Sequence, residues 1–269
     1  MNILIIGHGF VGKAVDYGFT HPQVEKTIID PKYGTSVDQI DPKQYDCAFV
    51  CVPTPMSSTG AIDSSIIDNV VDKLRQCSLV IVKSTVTPDI VGKWPDNVVY
   101  NPEFLTEKSA AEQFVNPQFH IFGGLRSLTK RTQWLYENYS LCNIVHCLHM
   151  SLEEASFVKY TINSFLALKV IFFNQLYEAI NQTDANFATV IKAVGMDSRI
   201  GPSHTKVPGF DGKLGFGGAC FPKDTAAFIN YNNCLTLLQE AVTINNKYRA
   251  QYELDDREKE QNITYGDSQ

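Results

Sequence analysis

The chain opens Met1-Asn2-Ile3-Leu4-Ile5-Ile6 and runs directly into Gly7-His8-Gly9-Phe10-Val11-Gly12. A β-branched run ending on glycines spaced G-x-G-x-x-G dictates a strand, a tight turn and the first turn of a helix. The first glycine permits the reversal. The second lets the backbone approach a pyrophosphate, and the helix N-terminus behind them stabilises the anion. Asp30 closes the next apolar run, 18 residues after Gly12. A carboxylate there accepts hydrogen bonds from a ribose 2′-hydroxyl and repels a 2′-phosphate, which predicts NAD rather than NADP. His8 reads as a loop residue, not a catalyst.

The runs 2–6, 26–30, 46–52, 79–83, 97–100 and 119–122 are short and β-branched, and several lack period-2 alternation. Strands covered on both faces by helices have this pattern. The expected fold is α/β, a Rossmann-type doubly wound parallel sheet over residues 1–150, followed by an all-α domain with long helices over 151–250. Ser151 and Glu154 have capping-box spacing, and no Gly or Pro intervenes before Gly195. One helix is therefore expected over 151–182, apolar nearly all round at its middle, and a shorter one over 186–194. A glycine-rich loop over 195–224, a last helix over about 225–250 and a fraying polar tail over 251–269 complete the expectation.

Net charge is −6, from 23 basic and 29 acidic residues. That balance predicts neither a nucleic acid nor an anionic membrane surface as partner. No apolar run reads as long enough to cross a bilayer, and no basic leader precedes the first strand. With seven cysteines outside any framework, the chain is expected in the cytoplasm with reduced thiols. His146, Cys147 and His149, with Cys142 nearby, alternate across strand faces and lack a second ligand pair, so no metal site is expected.

Further segments carry candidate chemistry. Cys51-Val52-Pro53-Thr54-Pro55 and Lys83-Ser84-Thr85-Val86 follow strands, where doubly wound sheets place ligands. Asn101-Pro102-Glu103-Phe104-Leu105-Thr106-Glu107 sets two carboxylates four residues apart, on one face if a helix starts there. Lys159 and Asn163 are spaced to bond a developing oxyanion together. Arg199-Ile200-Gly201 precedes the glycine loop. Gly215-Phe216-Gly217-Gly218-Ala219-Cys220-Phe221-Pro222-Lys223-Asp224 puts a thiol in a glycine-rich turn near cations, a setting that favours the thiolate. Each segment alone has a bland reading, as a turn, a solvated face or a buried cysteine.

Together and in this order, the motifs resemble the UDP-glucose/GDP-mannose dehydrogenase family, from residue 1 to about 249, including the Leu237–Arg249 segment that looks like its central helix. The resemblance implies NAD-dependent oxidation of a nucleotide-sugar C6 alcohol to the acid through a cysteine thiohemiacetal and thioester. It implies Cys220 as nucleophile, Lys159 and Asn163 on the C6 oxygen, Glu103 as base for thioester hydrolysis, and Asp224 and Thr85 positioning water and polar groups. Substrate contacts would fall on Glu103, Phe104, Leu105, Lys159, Asn163, Arg199, Phe216 and Gly217. The NAD site would be lined by Gly7, Gly9, Phe10, Val11, Gly12, Asp30, Lys32, Thr54, Pro55, Ser84, Thr85, Glu107 and Lys223.

Two departures qualify the resemblance. Family members continue past the central helix into a further α/β domain, and the stretch between Arg199 and Cys220 is longer here. Two other readings stay open: a single-hydride β-hydroxyacid-type dehydrogenase, and a non-catalytic remnant that binds NAD. A homodimer is expected, because Ala226, Phe228, Ile229, Leu235, Leu237, Leu238, Ala241, Val242 and Ile244 give the 225–250 helix a large apolar surface.

Overall fold

The computed structural model describes residues 1–266. Two compact units divide the chain: 1–54 with 63–159, and 55–62 with the residues from Tyr160 onward.

The first unit is built on a seven-stranded sheet of order β2-β1-β3-β4-β5-β6-β7. The strands are β1 (Asn2–Ile6), β2 (Glu25–Ile29), β3 (Cys47–Val50), β4 (Val80–Val82), β5 (Val98–Tyr100), β6 (His120–Gly123) and β7 (Cys147–Met150). β1 pairs in parallel with both β2 and β3, and β3, β4 and β5 continue in parallel. The strand order reverses beside β1, and ligands bind at the strand C-termini of such a switch point. Ile3, Ile5, Phe49, Ile81, Val99 and Phe122 are buried in one core with Phe19 and Tyr136.

The sheet is parallel as expected except at β6, which runs antiparallel to β5. The link between them carries a 3-10 turn at Glu107–Ser109 and the six-residue α4 (Ala110–Val115), not the longer crossover helix that usually joins parallel strands. β7, outside the expected strands, pairs in parallel with β6 after α5 (Arg126–Tyr139). The other helices of this unit are α1 (Phe10–Gly18), α2 (Ser65–Lys73) and α3 (Pro88–Val91).

The long helix, α6, spans Leu152–Ile180. Its start is the expected capping box: Glu154 N–H donates to Ser151 Oγ at 3.1 Å, and Ser151 N–H to Glu154 Oε2 at 2.7 Å. By length and composition this helix is long and apolar enough to cross a membrane, contrary to the sequence reading. It also buries Lys159, Asn163 and Asn174 in polar contacts, as a core helix does.

α7 (Phe187–Val194) follows. The single helix expected over 225–250 is two, α8 (Phe221–Tyr231) and α9 (Thr236–Arg249). Asn232 explains the break: its side chain accepts the N–H of Cys234 at 3.0 Å, a local turn that competes with the helix. α8 starts earlier than expected because Pro222 suits a first turn. Phe228, Leu238 and Ala241 are buried within the chain, which removes them from the expected dimer surface, while Leu237 is 72% exposed.

Residues 251–266 of the tail depart from the expected fraying, and 267–269 lie outside the described residues. Residues Asp256–Glu260 form α10, capped by Asp255 and Glu258, and Ile263 and Tyr265 are buried. Apolar burial and a capping box hold what composition alone marked as frayed.

Ser151→Ala should lower unfolding free energy by about 1 kcal/mol, the usual loss of an N-cap. Urea unfolding of the pair measures this, and unchanged stability would show that the cap carries no weight.

Candidate active site

At the switch point, Gly7 N–H donates to the Ile29 carbonyl at 2.8 Å and Cys51 N–H to the Ile6 carbonyl at 2.7 Å. Gly7 has φ +85°, and a Cβ there would lie 2.5 Å from the Cys51 carbonyl oxygen. The fold itself therefore demands this glycine. At Gly9 a Cβ would meet no atom within 4 Å. Packing leaves Gly9 unconstrained, which is the condition for a backbone that a pyrophosphate must approach. Phe10, Val11 and Gly12 form the first turn of α1.

Asp30 caps the turn after β2. Its carboxylate accepts the His8 N–H at 2.6 Å and the Lys32 N–H at 3.0 Å. Burial would raise its pKa, but these two N–H groups and the Lys32 ammonium outweigh it and hold the carboxyl below the usual range. Lys32 Nζ also donates to the His8 carbonyl, so this lysine braces the glycine turn. Thr54 Oγ1 donates to the Thr85 carbonyl at 2.9 Å and Ser84 Oγ to the Val52 carbonyl at 2.7 Å, tying the two strand-end loops together. A turn with an open Gly9 and an ionised Asp30 suits a dinucleotide with a free ribose 2′-hydroxyl.

The segment after β5 is irregular through Thr106 and turns helical at the 3-10 turn Glu107–Ser109. Glu103 and Glu107 therefore do not share a helix face. Glu103 is buried and Glu107 exposed. Lys159 Nζ donates to the Glu103 carbonyl at 2.5 Å and to Oε1 at 3.1 Å, and lies 5.1 Å from the Phe104 ring centroid. Glu103 Oε2 takes the Leu105 N–H at 2.6 Å.

Sequence reasoning missed what holds this turn. Asn101 Oδ1 accepts both buried Lys83 Nζ at 2.8 Å and Tyr136 OH at 2.7 Å, and its amide donates to the Ile121 carbonyl at 2.8 Å. Burial pushes the Lys83 pKa down to about 8. The lysine of the Lys83-Ser84-Thr85 motif thus supports the Asn101-Pro102-Glu103 turn from below.

The second unit carries the thiol. Cys220 immediately precedes α8, whose N-terminus favours negative charge. Asp224 in the first turn is 1% exposed and accepts Lys223 Nζ at 2.7 Å and Asn163 Nδ2 at 2.6 Å. Phe216 is buried and Gly217 half-buried. Five other cysteines are disfavoured as thiolates. Burial pushes Cys51 up to about 12 and Cys142 to about 11, and raises Cys47, Cys77 and Cys147. Arg199 is exposed and paired with Asp197 at 2.7 Å. No group of three or more His, Cys, Asp or Glu suited to a metal occurs among the described residues.

Two family models match: the NAD binding domain of the UDP-glucose/GDP-mannose dehydrogenase family over residues 32–140, and its central domain over 153–247. UDP-glucose 6-dehydrogenase TuaD of Bacillus subtilis is 30% identical over 247 residues, covering 84% of this chain and 52% of that protein. A UDP-glucose 6-dehydrogenase of Rickettsia bellii is 28% identical, covering 93% of this chain and 67% of that protein. A solved UDP-glucose dehydrogenase of Pyrobaculum islandicum superposes with a TM-score of 0.76 at 27% identity, over 91% of this chain and 68% of that one. The chain spans about half to two thirds of the length of these relatives.

Gly9→Ala should leave the melting temperature unchanged and weaken NAD binding by about tenfold or more, whereas Gly7→Ala should destabilise the fold by roughly 1–3 kcal/mol. Calorimetric titration with thermal melting separates the two; equal NAD affinity in Gly9→Ala would remove Gly9 from the cofactor site. Lys83 makes a second test. With its folded pKa depressed to about 8 from 10.5, the unfolded chain binds more protons between those values. Stability from this residue is flat below about pH 8 and rises above it, by on the order of 3 kcal/mol in full. The unfolding free energy of the wild type minus that of Lys83→Met should climb between about pH 8 and pH 10; parallel curves would mean that Lys83 is ordinarily basic.

Proposed function

Because the chain belongs to the UDP-glucose/GDP-mannose dehydrogenase family, we propose that it oxidises the C6 alcohol of a nucleotide sugar, UDP-glucose first among candidates, to the uronic acid. The observation that carries this reading is the buried Asn163–Asp224–Lys223 chain in the first turn of the helix that follows Cys220. A single-hydride dehydrogenase needs no thiol there. The relatives named as UDP-glucose 6-dehydrogenases support the choice of sugar.

NAD, when bound, supplies the hydride acceptor. The chain's own residues do the rest. Lys159 and Asn163 donate hydrogen bonds to the C6 oxygen as charge develops on it. A primary amide has two N–H groups, and Asp224 takes one from Asn163. The Cys220 thiolate adds to the C6 aldehyde, so the reactive intermediate stays covalently held as a thiohemiacetal. Once that is oxidised to the thioester, Glu103 takes a proton from water, the water oxygen attacks the carbonyl, and the C–S bond breaks to return the thiolate and release the acid. Asp224 and Thr85 position the water and polar groups. Phe104, Leu105, Arg199, Phe216 and Gly217 contact the substrate. Pro55, Glu107 and Lys223 complete the cofactor lining.

The chain is further proposed to act in the cytoplasm as a homodimer. Phe165, Phe172 and Leu237, at 64%, 61% and 72% exposure, supply apolar surface for a second copy.

Counting NADH against a panel of UDP- and GDP-sugars tests the activity: about two per sugar supports this reading, one a single-hydride enzyme, none a cofactor-binding remnant. Cys220→Ser should keep NAD affinity and slow turnover by orders of magnitude, and Cys220→Ala should stop at the aldehyde. Mass spectrometry of quenched wild-type enzyme should find the sugar acyl group on the Cys220 peptide. Release of the acid by Cys220→Ala at near wild-type rate would overturn the thioester route.

A further inference from the structure

The glycine loop ahead of Cys220 has three of its backbone N–H groups taken by side chains from three helices. Gly215 N–H donates to Asn174 Oδ1 of α6 at 3.0 Å, and Phe216 N–H to Asn245 Oδ1 of α9 at 2.6 Å. Gly218 N–H donates to Glu258 Oε1 of α10 at 3.0 Å. Glu258 is completely buried and is the hub of the set. The same oxygen accepts Arg249 Nη2 at 2.9 Å and Tyr265 OH at 2.7 Å, and Oε2 accepts the Asp255 N–H at 2.9 Å. Arg249, itself 1% exposed, reaches Asp211 through Nη1 at 2.7 Å.

The ion pair is packed against the loop backbone. A Cβ at Gly217 would fall 2.2 Å from Arg249 Nη2 and 2.5 Å from Glu258 Oε1. The strap around Glu258 is anchored independently. Met56 N–H donates to the Gln261 carbonyl at 3.1 Å, and Asn262 Nδ2 donates to the Met56 carbonyl at 3.3 Å. Ile263 and Tyr265 are buried. Burial works against the Glu258 charge, but the Tyr265 hydroxyl, the Asp255 and Gly218 N–H groups and Arg249 hold its carboxyl below the usual range.

A buried ion pair is a weak source of net stability, because desolvation offsets most of the attraction. Apolar side chains would anchor the strap as well. What they would lack is an acceptor for Gly218 N–H at a defined point. We infer that Glu258, oriented by Arg249, is a positioning residue that sets the backbone course of the glycine loop two residues before Cys220, and thereby the exposure of its thiol. The catalytic consequence rests on the reading of Cys220 as nucleophile; the structural one does not.

Alkylation of the intact protein by iodoacetamide, followed by mass spectrometry of each cysteine peptide, tests this without substrate or cofactor. Cys234, exposed, is the surface control, and Cys47, buried, reports unfolding. In Glu258→Ala the Cys220 rate should rise roughly fivefold or more, the factor for losing one ordinary hydrogen bond, with both controls unchanged. Glu258→Gln keeps an acceptor oxygen and should restore the rate to within about twofold of wild type. A folded Glu258→Ala protein with wild-type Cys220 reactivity would overturn the inference, as would equal rates in Glu258→Ala and Glu258→Gln. If Cys47 becomes reactive in Glu258→Ala, Gly217→Ala replaces it: Glu258 is kept and the new Cβ displaces the pair, so the same acceleration is expected and a wild-type rate overturns the inference. If no nucleotide sugar is oxidised by the wild type, the proposed function fails while the alkylation result still stands or falls alone.

Discussion

Three long polar side chains buried on α6 have partners, and an unmet hydrogen-bonding group in the interior would cost more than the bond it makes. Lys159, Asn163 and Asn174 are each at most 7% exposed. Their partners are, respectively, Glu103 of the Asn101-Pro102-Glu103 turn, Asp224 of α8, and the N–H of Gly215 in the glycine loop. Each pairing fixes a segment that carries candidate chemistry. The apolar remainder of the same face, Ala167 and Ile171, packs with Phe216 and Ala241. One helix thus serves both as core and as the set of polar anchors on which the loops depend.

The Rossmann-type unit solves a different problem, how to bring backbone near an anionic ligand. Gly7 is dictated by the passing Cys51 carbonyl, whereas among the described residues nothing lies within 4 Å of where a Cβ at Gly9 would be. Asp30 is ionised and already bonded to two backbone N–H groups, so its orientation is set before any ligand arrives. Lys83 adds a buried support beneath the turn that ends in Glu103.

Burial separates the cysteines chemically. Those packed in the sheet core have their thiols held protonated by desolvation, whereas Cys220 precedes a helix whose terminus favours an anion. The loop before it is shaped by side chains as well as by its own glycines, of which Gly215 and Gly218 have positive φ. Asn245 and Glu258 come from segments that follow it in the chain.

Local sequence determined much of this protein. The G-x-G-x-x-G turn with Asp30, six of the seven strands, the capped start of α6 and the motif order from Gly7 to Asp224 all follow from neighbours within a few residues, so period and spacing reveal them. Tertiary structure alone decided the rest. The reversal of β6 depends on what the short α4 leaves of a crossover, and the break at Asn232 on one side chain preferring its own turn to the helix. Nothing local announces the burial of Lys83, Arg249 and Glu258, because charged residues are mostly exposed. The Asp255 and Glu258 spacing was the one local sign of α10. Their burial comes from partners at Asn101, Asp211, Gly218 and Tyr265, and apart from the nearby Tyr265 these are pairings across sequence distances that no local pattern encodes.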